Sequence, residues 1–392
     1  MSAILSQTSQ ANSEGSKRLD RLLGFLHSDP QNENLRADVF EQAFSLGNEE
    51  VAEQQIAVGL ELGRDPNAWR FREAHLRMAQ RRFEEAEELL AILKQQMGPH
   101  PAISHNLGFI AALRGDYKTC FEELEPWTSK DPDVEVDPAI QTLWLKSLHH
   151  LSKLDFALQW VGQRRALVKL TPAAIGVASL IAIDADQTFK AKELAGQALA
   201  AGDASLETLL ARSAVALAER DTAGAHQYLL QAMHRAPDNG RCWSTLGLTQ
   251  MLEMNITAAR QSLKKAVALM PGHIGTWHSL GWACLVDKDI DAAQQAFEAA
   301  MQLDRNFGES HGALAIIAAM RGERTSAIEQ IRRATGLDKN SLSAGYAQAV
   351  LNGETADPRS LQNAMHGLLS TRLAPMGEPM LDLLPTLPNI RK

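Results

Sequence analysis

Residues 240–273, GRCWSTLGLTQMLEMNITAARQSLKKAVALMPGH, and residues 274–307, IGTWHSLGWACLVDKDIDAAQQAFEAAMQLDRNF, align without a gap at a step of 34. Trp243 falls over Trp277, Leu246 over Leu280, Gly247 over Gly281, Ala259 over Ala293, Leu263 over Phe297 and Ala266 over Ala300. The alanine continues outward at Ala157, Ala191, Ala225, Ala259, Ala293 and Ala327. A second small-residue ladder runs seven positions on, at Ala198, Ala232, Ala266, Ala300 and Ala334. A period between about 20 and 50 residues is the mark of a stacked array rather than of one globular core.

Upstream, a step of 37 from Ala157 reaches Cys120, and steps of 34 then reach Ala86 and Ala52. One three-residue insertion therefore interrupts the register, and the stretch DPDVEVD at 131–137 is where it is expected. Small residues at fixed phase have a physical cause: helices approach to about 8–10 Å only where one presents a small side chain. Between these marks the apolar residues Leu246, Met251, Ala259, Leu263, Ala266, Val267 and Met270 fall at helical spacing. Asp29-Pro30, Asp65-Pro66, Asp131-Pro132, Thr171-Pro172, Pro237-Asp238 and Met270-Pro271 punctuate the units. Each unit thus reads as helix, tight turn, helix and short link.

The motif resembles the tetratricopeptide repeat, W-x2-L-G-x2-Y followed by A-x3-F and P in about 34 residues. Trp243, Leu246, Gly247, Ala259, Leu263 and Pro271 carry it, with Gln250 in place of Tyr; Trp277, Leu280, Gly281, Ala293 and Phe297 carry it again, with Cys284 in place of Tyr. A weaker copy has Leu107, Gly108, Cys120, Leu124 and Pro132. The resemblance implies an all-α fold, a right-handed superhelical solenoid of antiparallel helix hairpins with about nine to ten units.

The expected organisation is a disordered segment at 1–17, a capping helix at 18–32, divergent units at 33–137, regular units at 138–341, a degenerate capping hairpin at 342–374 and an apolar, proline-rich tail at 375–392. In the capping helix, Leu19, Leu22, Leu23 and Leu26 share one side. Asp357 is expected to cap a last helix starting at Pro358. Four prolines between Pro375 and Pro388 forbid a stable helix in the tail, yet Met376, Met380, Leu381, Leu383, Leu384, Leu387 and Ile390 are too apolar for an idle one. It is expected to occupy its own groove, to pack under the last helix or to reach a partner.

Signatures of phosphate loops, dinucleotide folds, zinc proteases and serine hydrolases are absent from the sequence, and no enzyme is expected. His75, His105, His149 and His150 are read as surface or groove histidines rather than a metal site, because adjacent helical residues point about 100° apart. No metal and no cofactor are expected. Arg70, Arg72, Arg77, Arg81 and Arg82 either receive an acidic peptide or phosphate or form a salt-bridged face with Glu73, Glu84, Glu85, Glu87 and Glu88; the second is favoured. A net charge of -8 argues against nucleic acid, and no apolar run reaches the length of a membrane span, so neither partner is expected. Cys120, Cys242 and Cys284 fit reduced core thiols, and with no secretory leader in the sequence a cytoplasmic location is expected.

The resemblance further implies that phases 2, 5, 9, 12 and 13 of each first helix face a concave groove. In the later units these are Leu180, Ile183, Leu217, Leu248, Met251, Leu252, Trp282, Leu285, Val286, Ile316 and Met320, joined by Ser244 and His278. Ser244, Leu248, Met251, His278, Trp282, Leu285, Ile316 and Met320 are the expected partner-binding residues. The function expected is a non-catalytic scaffold or adaptor holding protein or peptide segments. The alternatives are a chaperone or assembly factor for a secretion or surface-polymer system, and a regulatory or accessory subunit of an enzyme.

Overall fold

Every repeat turns its chain at one left-handed residue. In the computed structural model the positive-φ positions include Gly47, Arg81, Gly115, Ser152, Asp186, Arg220, Met254, Lys288 and Gly322, which follow the same 34-residue register with its single step of 37. Each closes the preceding helix with a pair of backbone bonds, as where Lys288 N–H donates to the Leu285 carbonyl at 3.0 Å and Asp289 N–H to the Cys284 carbonyl at 2.9 Å. The next residue starts the second helix: Asn48, Asp116, Asp221, Asn255 and Asp289 each accept from the backbone N–H three residues on. The described residues are 2–128, 131, 134–165, 170–369, 374–378 and 380. Among them every regular element is helical.

The chain divides into two compact units, residues 1–152 and 153–392. The first holds α1 (Ser2–Ser28), α2 (Glu33–Ser45), α3 (Glu49–Leu62), α4 (Pro66–Ala79), α5 (Phe83–Met97), α6 (Pro101–Leu113), α7 (Tyr117–Leu124) with a 3-10 turn at Glu125–Trp127, and α8 (Pro138–His150). Helices α2 and α3, α4 and α5, and α6 and α7 pack as hairpins. Leu19 and Leu26 of α1 are buried against Val39, Phe40 and Ala43. Helix α1 runs from Ser2, where disorder to residue 17 was expected. Its backbone is held on α2 as far back as Gly15, whose carbonyl accepts from Gln42 Nε2 at 3.4 Å. The division after Ser152 lies one helix later than the expected change of character at 137/138. Rings explain why α8 stays with α7: Phe121 stacks on Trp144 with centroids 4.8 Å apart, and Tyr117 on His150 at 3.7 Å.

The second unit holds α9 (Leu154–Arg165), α10 (Pro172–Asp184), α11 (Thr188–Ala200), α12 (Leu206–Ala218), α13 (Thr222–Arg235), α14 (Gly240–Leu252), α15 (Ile256–Leu269), α16 (Ile274–Val286), α17 (Ile290–Leu303), α18 (Gly308–Met320), α19 (Arg324–Leu337), α20 (Leu342–Leu351) and α21 (Pro358–Leu369). From α10 onward the helices pair in order, each second helix packs on the next first helix, and α10, α12, α14 and α16 line up side by side. Ala157, Ala191, Ala225, Ala259, Ala293 and Ala327 are all fully buried, as are Ala198, Ala232, Ala266, Ala300 and Ala334. Gly281 shows what the small residue allows: a Cβ there would overlap the ring of Phe297, itself fully buried. That ring contributes about 1.5–3 kcal/mol by burial. Asp357 caps α21, its Oδ1 accepting from Arg359 N–H at 2.9 Å and Ser360 N–H at 3.1 Å. Of the proline-rich tail, only residues 375–378 and 380 lie among those described.

Candidate partner-binding cleft

Successive first helices of the second unit enclose an open cleft of about 710 Å³. Leu180 and Ile183 of α10, Leu210, Ala214 and Leu217 of α12, and Ser244, Leu248, Met251 and Leu252 of α14 supply its walls. These positions recur because residues four or three apart on a helix share a face.

The rim is charged. Arg241 Nη1 and Nη2 donate to Asp184 Oδ1 and Oδ2 at 2.8 and 2.6 Å, a bidentate pair that reaches from the end of α10 to the start of α14. His273 stands beside it, and burial, then the nearby Arg241 cation, hold its imidazole pKa below the ordinary value while Asp184 opposes them. Ala374 and Pro375, from beyond α21, complete the lining.

The expected groove residues divide. Ser244, Leu248 and Met251 line the cleft. His278 is half-buried and tied down, its Nε2 2.9 Å from Ser310 Oγ and its ring beside Phe297 and Phe307; burial lowers its pKa. Trp282 and Leu285 are half-buried against the cores of α16–α18 and α20, with Trp282 edge-on to Tyr346 at 6.4 Å. Met320 is 46% exposed at the end of α18. Ile316 is corrected: it is fully buried with Ala315 and Ala347 between α18 and α20, so no partner reaches it in this conformation. Asp184 and Arg241 stand at phases 13 and 2 but were not among the groove residues expected.

In the first unit His75 and His105 meet through Asn106, whose Nδ2 lies 2.8 Å from His75 Nε2 and whose Oδ1 lies 3.3 Å from His105 Nδ1. Among the described residues no group of three or more His, Cys, Asp or Glu has the geometry to hold a metal ion. Three of the five arginines of α4 and its turn are in ion pairs: Arg77 meets Glu53 at 2.9 Å and Glu73 at 3.1 Å, Arg82 meets Glu85 at 2.5 Å, and Arg72 meets Glu41 at 3.4 Å, while Arg70 donates to Asn67 and Gln96 and the expected Glu84 and Glu87 pair with Arg114. Burial pushes the Cys120 thiol up to about 12 and the Cys242 thiol up to about 11, so both stay protonated. Among the described residues no helix is long and apolar enough to cross a membrane.

Hairpins in register, with their first helices lining an open cleft, define a helical-repeat protein that presents a groove. A family model described as the tetratricopeptide repeat matches residues 274–307, the second of the two stretches that set the register. By that match residues 274–307 are a tetratricopeptide repeat, and the helix hairpins of the second unit stack on either side of them. No curated protein matches it. Among solved structures, the human IFIT1 dimer with PPP-AAAA is 15% identical, with 92% of this chain and 91% of that chain covered and a TM-score of 0.53. The human IFIT1 dimer with m7Gppp-AAAA is 15% identical, with 91% of each chain covered and a TM-score of 0.54. A tetratricopeptide repeat protein from Parabacteroides merdae is 13% identical over 62% of this chain and 94% of that one, with a TM-score of 0.43. The human structures correct one expectation. A chain of this fold is there seen with capped and triphosphate oligonucleotides, so the acidic net charge of this chain does not exclude a nucleic-acid partner.

Proposed function

We propose that this protein is a non-catalytic scaffold or adaptor that binds extended protein or peptide segments in the cleft of its second unit. The observation that carries this reading is the cleft itself, apolar on three successive first helices and rimmed by the Asp184–Arg241 pair. Concave, mostly apolar surfaces with a few placed polar groups are the usual form of a binding site. Three buried, unpaired cysteines support a reducing, cytoplasmic setting.

The test is a peptide library selected on the full chain, followed by titration of the recovered peptides. Leu248→Glu with Met251→Glu should weaken them at least tenfold, about 1.4 kcal/mol or more, with an unchanged helical signal. One shared motif among the peptides would mark an adaptor; many unrelated apolar segments would mark a chaperone. Equal binding to the variant would sink the cleft as the site. Binding of a triphosphate oligoadenylate, with no peptide recovered, would replace the reading with a nucleic-acid one.

A further inference from the structure

Away from the cleft, the last turns of α17 and α19 and the link before α18 enclose an open cavity of about 800 Å³. Met301 stands on one wall, Arg332, Arg333 and Leu337 on the other, and Arg305 and His311 lie between them. Among the described residues that line it there is no carboxylate. Arg333 is met by Glu329 at 2.5 Å from outside the lining. Among the described residues the guanidinium groups of Arg305 and Arg332 have neither a hydrogen-bond partner nor a carboxylate, whereas Arg241, Arg260 and Arg321 of the same unit each hold one. The carboxylates nearest in sequence, Asp304 and Asp338, end α17 and α19 and are turned to the backbone, accepting from Asn306 N–H and Asn340 N–H at 2.8 Å. The negative poles of the two helix ends amount to about half an elementary charge each, less than the two full charges of the unpartnered guanidinium groups.

Two further features mark a built site. His311, only 7% exposed, joins the walls: its Nε2–H donates to the Arg305 carbonyl at 2.9 Å, and its Nδ1 lies 2.8 Å from Gln330 Oε1 on α19. The link that carries Arg305 is thereby tied to the helix that carries Arg332, and such prior ordering lowers the entropic cost of binding. Gly336, also in the lining, stands inside α19, needs no left-handed backbone, and a Cβ added to it would meet no neighbouring element within 4 Å. Glycine inside a helix is destabilising relative to alanine, and here neither a close helix crossing nor a turn accounts for it. The space in front of it is the cavity.

We propose that this cavity binds a phosphorylated small molecule, its phosphate held between Arg305 and Arg332 and its apolar part resting on Met301 and Leu337. The site is separate from the cleft and stands whether or not the cleft binds peptide. Guanidinium groups take phosphate through paired N–H···O bonds, where an ammonium offers only a point charge. A volume of this order suits a ligand of cofactor size. Inorganic phosphate alone would leave the half-exposed Leu337 uncovered.

The test is titration of the full chain with naphthyl phosphate, followed by the probe's own fluorescence, beside inorganic phosphate and naphthol. Naphthyl phosphate should bind about tenfold more tightly than either. Arg305→Gln with Arg332→Gln should weaken it about tenfold or more, the scale of a lost charge-assisted hydrogen bond. Gly336→Phe should weaken it as much, by filling the cavity without removing a charge. The three replaced residues are exposed, so both variants should keep the helical signal and melting temperature of the unaltered chain. Arg220→Gln, and Leu248→Glu with Met251→Glu, all in the cleft, should bind the probe as the unaltered chain does. No binding at about 1 mM probe, equal binding of naphthol or of inorganic phosphate, full binding to either cavity variant, or a loss shared by the cleft variants overturns the proposal.

Discussion

At the scale of single residues, the positive-φ turn position is where local chemistry and repeat register meet. Met254 and Lys288 hold φ of 59° and 61° although both carry Cβ, whereas Gly322 fills the same phase at 77°. A side chain in this region costs about 1–2 kcal/mol, and glycine removes that at about 0.5–1 kcal/mol of extra backbone entropy. Met254 is 73% exposed, so removing its side chain sacrifices little burial. Met254→Gly should therefore raise stability by about 0.5 kcal/mol and Gly322→Ala lower it by a similar amount, read as opposite shifts of the denaturant midpoint. No shift in either variant would mean that the turn does not limit stability. The alanine register was legible in the sequence because it is imposed by contacts inside one hairpin and recurs with it, whereas the turn register, carried mostly by residues with a Cβ, was not. The buried ring beneath Gly281 was legible in outline, since Gly281 and Phe297 belong to one motif.

Elements are tied together by more than neighbouring packing. The Asp184–Arg241 pair joins α10 to α14 across α12, between residues 57 apart in sequence. Both side chains keep partial solvent exposure, 24% and 38%, so the pair contributes less than a buried one. Arg241→Ala is expected to cost on the order of 1 kcal/mol. A double-mutant cycle with Asp184→Ala should give about 0.5–1 kcal/mol of coupling in chemical denaturation. A coupling near zero would show that the two first helices hold their spacing without the pair. Such a contact is hard to read from a period, because each partner is by itself an ordinary charged residue at an inward phase.

Across the molecule, three half-buried histidines bear on stability in the same direction. Burial, named first among the causes in each case, lowers the pKa values of His75, His273 and His278 in the folded chain. A group whose folded pKa is depressed stabilises fully above its unfolded value, about 6.5. That contribution is lost as pH falls through the folded pKa. The melting temperature should therefore be lower at pH 5 than at pH 7.5, and His278→Gln should shrink the difference. Identical pH dependence in the variant would mean that the Ser310 contact opens without cost.

The period, the helical class and the small-residue crossings were determined by the sequence alone, since each follows from packing between residues close along the chain. Tertiary structure decided which inward positions stay open. Leu248 and Met251 face a cleft, Ile316 at an equivalent phase is sealed between α18 and α20, and Ala374 returns to the α10–α14 wall from beyond the last helix. The physical reason is accumulation: the position of one repeat against another several units away sums many small rotations between neighbours, and no local motif records that sum.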